Sequence, residues 1–426
     1  MLYERWREIA NKYRNEIALI EVTQGERWTF ARLAAEAERD GATGPVVFPQ
    51  GEGFILTLLR GWRLGQFTCP LEPGQAKPVF GKLPKGCAHL KLTSATTGGA
   101  RTVAFTESQL AADADNIVAT MGLRHEWPNL GVISLAHSYG FSNLALTLLL
   151  HGIPLIMLDA PLPETLKRAV TESKFITLAA VPALWRAWHE AGAIPSGDNL
   201  KLAISAGAPL SVALEQAVFA AQGVKIHNFY GSTECGGIAY DGSPVVRMDM
   251  ACIGAPMKNV GVSVGKDGCV EIRSAAVGET YWPEPAANLA GGCFQTSDLA
   301  EIIDGNVCIR GRAGDQINMA GRKLSPETIE TVLLSHPEVK DCLVFGVPSQ
   351  ENERSESIVA CIAGGRSLSR ELLKQFLLEK MPAWQIPREW VFVKSLETNQ
   401  RGKLSRAEWR RKFLGARDNK AASDFA

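Results

Sequence analysis

Through its first 300 residues the chain alternates short aliphatic or β-branched runs with longer stretches of helical periodicity. Apolar residues at helical spacing mark 30–39 and 54–64, with a β-branched run at 46–48 between them. Strands are expected at 130–134, 154–158 and 175–181, and helices at 143–150, 163–173 and 182–191. Residues 200–210 join a strand to a helix beginning near Ser211. Strands separated in this way by helices tend to run parallel and to be covered on their faces. From about Cys252 the texture changes to short strands with glycine turns (IGAPM, VGVSVGKDGCVEIR, LAEIIDGNVCIRGR), a β-rich subdomain. Beyond residue 315 lies a smaller pattern. Ser325, Pro326 and Glu327 supply an N-cap, a first-turn proline and a first-turn acid. A helical face of Ile329, Val332 and Leu333, a strand at 342–348, a helix capped by Ser369 and a strand at 390–393 follow, before a polar end that frays from about Ala416. The expected fold class is α/β. A large N-terminal domain (1–314) has parallel-type sheets covered by helices plus the β-rich subdomain, and a small α+β domain (315–426) follows.

Composition narrows the partners. With 45 Lys+Arg against 45 Asp+Glu, nothing draws the whole chain to nucleic acid or an anionic membrane. Hydrophobic content of 46% argues against disorder. The nine cysteines are widely spaced with no CxxC, and no histidine pair forms HExxH, so small buried thiols in a reducing cytosol are expected rather than a metal centre. The start, MLYERWREIANKYRNE, is too charged for a signal peptide. The most apolar stretch, 141–162, is interrupted by Ser142, Asn143, His151, Pro154 and Asp159, and reads as a buried helix and strand rather than a membrane span. A cytoplasmic protein without a membrane span or a nucleic-acid partner is expected, with oligomerisation left open.

Four segments carry chemistry. In LKLTSATTGGAR (90–101) the hydroxyls of Thr93, Ser94, Thr96 and Thr97, the amides of Gly98 and Gly99, and Arg101 suit phosphate oxygens, though such a loop taken alone is more often a solvated turn. In NFYGSTECGG (228–237) Tyr230 offers a stacking face, Gly231 close backbone approach, Thr233 a donor and Glu234 a Mg²⁺ ligand; an ordinary capped turn is the alternative. The 294–326 segment places Asp298 and Arg312 at the ends of two expected strands, where a carboxylate suits ribose hydroxyls and a charged turn is the plain reading. In ETNQRGKLSR (397–406) Lys403 follows a glycine in a polar loop that would otherwise be surface.

In order, TSATTGG, SAGAPL, YGSTE, TSD, GRAGDQINMAGRKLSP and GKLSR resemble the acyl-adenylate-forming superfamily of acyl-CoA synthetases, adenylation domains and luciferases. The resemblance covers Thr93 to Arg406 and implies a phosphate loop of Thr93, Ser94, Thr96, Thr97 and Gly98. It implies an adenine pocket of Ala208, Asn228, Tyr230 and Gly231, with Thr233 at the α-phosphate, Glu234 on Mg²⁺, and Asp298 with Arg312 at the ribose. His137 would lie near the incoming carboxylate, Asp315 would be the hinge of a mobile C-terminal lid, Gly321 would flank a thiol tunnel, and Lys403 would reach carboxylate and α-phosphate. The stretch before Thr93 is short for the superfamily, which implies a shortened N-terminal region. Ala95, Ala100 and Arg101 depart from the usual phosphate loop, as do Ser297 before Asp298 and Glu397 before the lysine loop.

The function so implied is ATP- and Mg²⁺-dependent activation of an aryl or medium-chain carboxylic acid to acyl-AMP, with pyrophosphate release and transfer to the thiol of CoA. The alternatives are an acyl-AMP ligase loading the phosphopantetheine of an acyl carrier protein, and a catalytically weakened nucleotide- or acyl-binding homologue. Tyr139, Phe141, Trp185 and Trp188 are candidates for an acyl pocket or for core. Under this reading Lys403→Ala blocks acyl-AMP formation by on the order of 10²–10³-fold yet spares thiolysis of supplied acyl-AMP. Equal loss in the two half-reactions, measured separately, would remove that role from Lys403.

Overall fold

The structure, a computed structural model, describes residues 1–41, 43–48, 51–93, 101–158, 160–349, 356–397 and 405–418. A 14-stranded sheet runs through the first three quarters of the chain. In one half, strands Ile226–Ser232, Leu200–Ser205, Ile176–Ala180, Asn129–Gly131, Leu155–Met157 and Ile17–Glu21 lie side by side and parallel. Glu26–Thr29 closes that edge antiparallel. Every residue of Ile176–Ala180 is buried, as a central strand covered on both faces requires. The other half, Gly236–Tyr240, Cys252–Pro256, Asn306–Arg312, Cys293–Ile303, Cys269–Arg273 and Gly261–Val264, is antiparallel throughout. The expected β-rich subdomain is thus hydrogen-bonded onto the parallel sheet through Ile226–Ser232 and Gly236–Tyr240.

Trp185 and Trp188, on helix Pro182–Glu190, are fully buried and meet edge to face. Their indole N–H groups donate to the carbonyls of Ile204 (3.1 Å) and Pro161 (2.8 Å). Both are core, not pocket lining. Phe141 is likewise buried. The helix expected at 143–150 begins earlier, at Ser138, and passes through a π-helical stretch, Phe141–Leu146, before Thr147–His151. The Thr147 hydroxyl (2.6 Å) and the Asn129 amide (3.2 Å) both donate to the Asn143 carbonyl, so side chains take up hydrogen bonding that regular helix would satisfy by itself.

The cysteine expectation needs one correction. Cys252 and Cys308 are joined by a disulfide, because the antiparallel register of their strands sets them directly opposite at a Cα–Cα distance of 3.9 Å. The other seven remain free thiols, five of them buried.

Beyond Ile317 the core is separate from that of the main sheet. Strands Val339–Pro348 and Glu356–Gly364 pair antiparallel, and Glu389–Val393 joins the second in parallel. Alternate residues face opposite sides. Val344, Ile358, Ala360 and Ile362 pack on helices Pro326–Leu334 and Arg370–Leu378, while Phe345, Val347, Val359 and Cys361 pack on Trp409 of helix Arg406–Asp418. That last helix replaces the polar end expected from sequence, because Trp409, Phe413 and Leu414 supply an apolar face among arginines and lysines. Ser369 caps its helix through the Leu372 amide, as expected. Ser325 occupies the N-cap position without a side-chain bond; its hydroxyl is turned toward Gly311 instead.

One cation organises this unit. The Arg406 guanidinium reaches Asp315 (3.0 Å), Glu327 (2.8 Å) and Glu330 (2.6 Å), and its Nε donates to the Val344 carbonyl. Burial pushes the Glu327 and Glu330 carboxyls above their usual range, and Arg406 opposes that shift. Arg406→Met, which leaves three carboxylates facing one another, is expected to destabilise the unit by about 3 kcal/mol or more. Chemical denaturation checks it, and Glu330→Gln in the same chain should recover part of the loss.

Candidate functional site

Ligands of open α/β sheets collect where parallel strands end and the topology reverses. Here Ile226–Ser232 is that strand, parallel to Leu200–Ser205 on one edge and antiparallel to Gly236–Tyr240 on the other. Asn228 is buried opposite Ser205. Ala208 lies in the exposed turn after Ser205, and Tyr230 lies near the end of its own strand. Gly231 is exposed, and Thr233 and Glu234 sit half-buried in the turn that follows. That turn is held from beneath. The Asp113 carboxylate, on helix Glu107–Met121, accepts from the Gly237 amide (3.2 Å) and the Ser142 hydroxyl (2.6 Å), and Lys91 lies 3.6 Å away. Burial lowers the Lys91 ammonium pKa, with Asp113 pulling the other way. Gly236 has φ +70°, and a Cβ there would stand 2.0 Å from Asp113 Oδ1.

Across the junction, Asp298 and Arg312 are register partners on Cys293–Ile303 and Asn306–Arg312. Arg312 Nε donates to Asp298 Oδ1 (2.8 Å), and the Tyr230 hydroxyl donates to Asp298 Oδ2 (2.5 Å). Both carboxylate oxygens are therefore engaged. Burial and the Asp298 charge raise the Tyr230 pKa, keeping the phenol neutral. Burial weakens the charged form of Arg312, but Asp298 and Asp315 outweigh it.

The hydroxyl- and glycine-rich segment starts from a hairpin, Cys87–Leu92 against Thr102–Thr106. The Thr93 amide donates to the Arg101 carbonyl (2.8 Å), and the Arg101 amide to the Thr93 hydroxyl (3.0 Å), so the loop mouth is closed at both strands. Ser94, Thr96, Thr97 and Gly98 lie outside the described residues, as does Lys403. The Arg101 guanidinium carbon stands 3.5 Å over the ring of Tyr281, whose hydroxyl donates to Glu234 Oε1 (3.0 Å). Sequence reasoning missed Tyr281, Asp113 and Lys91. Tyr281 falls in an ordinary β run, and nothing in spacing links it to a carboxylate 47 residues away.

The remaining candidates bind elsewhere. His137 Nε2 is 3.5 Å from Glu72, just before the π-helical stretch. Tyr139, two residues before that stretch, buries its hydroxyl with no hydrogen-bond partner among the described residues. Asp315 accepts from Arg406. Gly321 has φ +91° in the turn between Ile317–Met319 and Arg322–Leu324, its amide donating to Asn318 Oδ1 (2.8 Å).

Among the described residues no group of three or more His, Cys, Asp or Glu side chains could hold a metal ion by itself, and no helix is long and apolar enough to cross a membrane. A junction of parallel and antiparallel strands carrying a Tyr–carboxylate–Arg cluster defines an α/β protein with a candidate ligand site at the ends of its parallel strands. The family profile for AMP-binding enzymes matches residues 70–286, and that for their C-terminal domain matches 328–403. The chain belongs to the AMP-binding enzyme family. It is 28% identical over 368 residues to the 2,3-dihydroxybenzoate-AMP ligase of Bacillus subtilis, covering 79% of this chain and 66% of that one. It is 27% identical over 362 residues to a long-chain-fatty-acid–CoA ligase of Escherichia coli O157:H7, covering 80% and 64%. The chain thus spans about two thirds of the length of these relatives. In fold it matches ATP-bound MatB from Rhodopseudomonas palustris with a TM-score of 0.84 at 18% identity, over 97% of this chain and 99% of that one.

The close fit at Gly236 is testable. Gly236→Ala is expected to cost about 1–3 kcal/mol, because it adds a clash with Asp113 to an unfavourable φ. Gly25→Ala shares φ +70° but meets nothing within 4 Å, and serves as the comparison. Equal losses in urea denaturation would show that the Asp113 contact contributes nothing.

Proposed function

We propose that the protein activates a carboxylic acid with ATP, releasing pyrophosphate, and passes the acyl group from acyl-AMP to the thiol of CoA. The observation that carries this reading is the Tyr230–Asp298–Arg312 cluster at the strand junction, beside the turn that presents Thr233 and Glu234. Asp298 is an acceptor already aligned by two donors, so ribose hydroxyls meet a carboxylate that needs no reorientation. Tyr230 offers its ring to adenine, with Asn228, Ala208 and Gly231 forming the rest of that pocket. Thr233 donates toward the α-phosphate, and the phosphate loop from Thr93 to Gly98 takes the β- and γ-phosphates.

Attack of a carboxylate on the α-phosphate brings two anions together, so neutralisation and in-line placement dominate over proton transfer. The carboxylate oxygen bonds to phosphorus as the bond to pyrophosphate breaks. Lys403 supplies positive charge to both anions, and His137 stands at the entry of the acid. Mg²⁺ neutralises phosphate charge when bound. Glu234 fits it: a single half-exposed carboxylate in a turn matches a cation that keeps water and takes its other oxygens from phosphates. In the second step a thiolate attacks the acyl carbon and AMP departs. Gly321 lies on the thiol's path, and residues from Asp315 onward form the lid. An aryl or medium-chain acid is the proposed substrate class.

Acid-dependent exchange of labelled pyrophosphate into ATP, over aryl, short, medium and long acids, tests the first step. CoA and a holo acyl carrier protein then compete as acceptors. Absence of exchange across the panel would favour a non-catalytic homologue. Asp298→Asn is expected to raise KM for ATP tenfold or more, given about 1.5–3 kcal/mol for hydrogen bonds to a charged group. An unchanged KM would remove Asp298 from the ribose.

A further inference from the structure

We propose that Tyr281 is a positioning residue for the nucleotide–metal end of the site. Its hydroxyl orients Glu234, and its ring holds the Arg101 guanidinium at the mouth of the phosphate loop. The inference rests on the assignment of Glu234 and of that loop under Proposed function.

Tyr281 is only 5% exposed and sits in the middle of strand Thr280–Trp282. That strand pairs antiparallel with Thr102–Thr106, which leads away from the phosphate loop, setting Tyr281 opposite Val103. The segment is also tied to the Glu234 turn by its backbone, the Gly278 amide donating to the Glu234 carbonyl at 2.8 Å. The approach is close enough that a Cβ on Gly278 would lie 2.6 Å from Val103 and 3.2 Å from that carbonyl. Gln109 anchors the neighbouring Glu279 at 3.1 Å. Tyr281 is therefore fixed to both the loop strand and the turn: its hydroxyl, which also meets the Asn288 side chain, lies 3.0 Å from Glu234 Oε1, and its ring 3.5 Å from Arg101.

The chemistry follows. A phenol donating to Oε1 leaves Oε2 free and fixes the carboxylate plane. A small octahedral cation tolerates little error in ligand direction, and groups that orient a metal's ligands are what set its affinity. The same ring is a platform for a guanidinium whose own loop offers only hydroxyl and amide donors. One side chain thus couples the placement of the anionic metal ligand to that of the cationic phosphate ligand.

Two variants separate the contacts. Tyr281→Phe keeps the platform and loses the hydroxyl; Tyr281→Leu loses both. Binding of a non-hydrolysable ATP analogue is measured by calorimetry with and without Mg²⁺, together with a thermal melt. Tyr281→Phe is expected to weaken binding five- to tenfold with Mg²⁺ and less than twofold without it. Tyr281→Leu is expected to weaken both, and Thr280→Val, on the same strand, neither. Wild-type-like binding of Tyr281→Phe, or equal losses with and without metal, overturns the inference while leaving the functional reading intact. A wild-type protein that binds no analogue overturns both.

Discussion

Everything at the site depends on one strand having unlike neighbours. Ile226–Ser232 is parallel to Leu200–Ser205 and antiparallel to Gly236–Tyr240, so the chain must reverse tightly just after Tyr230. That reversal is the turn Thr233–Cys235 between the paired residues Ser232 and Gly236, and it opens at the carboxyl ends of the parallel strands. Continuity of the sheet then carries Asp298 and Arg312 from the antiparallel half to the same place. The Tyr230–Asp298 hydrogen bond closes the junction from the side chains.

A strand so placed needs a rigid foundation, and charge supplies it. Buried beneath it, Lys225 pairs with Glu215 and Asp241, and Arg247 pairs with Glu215 while donating to the carbonyls of Leu210, Met250 and Cys252. Every charge in that set has a partner, as burial demands. On the other side Lys91 and Asp113 bring together the strand before Thr93, the start of strand Gly236–Tyr240 and Ser142 of the segment after His137. Breaking one partner would strand the other in apolar surroundings formed by Phe105 and Phe141. These pairs therefore specify position more than they add stability.

What the sequence made legible follows from the range of the interactions involved. Helices such as Phe30–Glu38, Pro163–Ala169 and Pro182–Glu190 declare themselves through local periodicity and first-turn prolines, and they lie where expected. Tyr230, Asp298 and Arg312 were legible through ordered motifs, and they come into contact. Strand Glu356–Gly364 was not, because with both faces covered it lacks a polar alternation to read. Tyr281, Lys91 and Asp113 were not, because each acts through a partner far along the chain. The Cys252–Cys308 pair was hidden for the same reason: 56 residues separate two thiols that only strand register brings together.

The C-terminal unit shows the same logic applied to a joint. Asp315 sits in the short 3₁₀ turn Ala313–Asp315, directly after Arg312, yet its carboxylate is held by Arg406 rather than by the main sheet. Arg406 lies three residues past Lys403 and is itself gripped by Glu327 and Glu330. The side chain at the joint therefore belongs to the C-terminal unit, while the backbone one residue pair earlier belongs to the Asp298–Arg312 ladder. The Asp298–Arg312 ladder and the Arg406 cluster therefore meet across the short turn Ala313–Asp315.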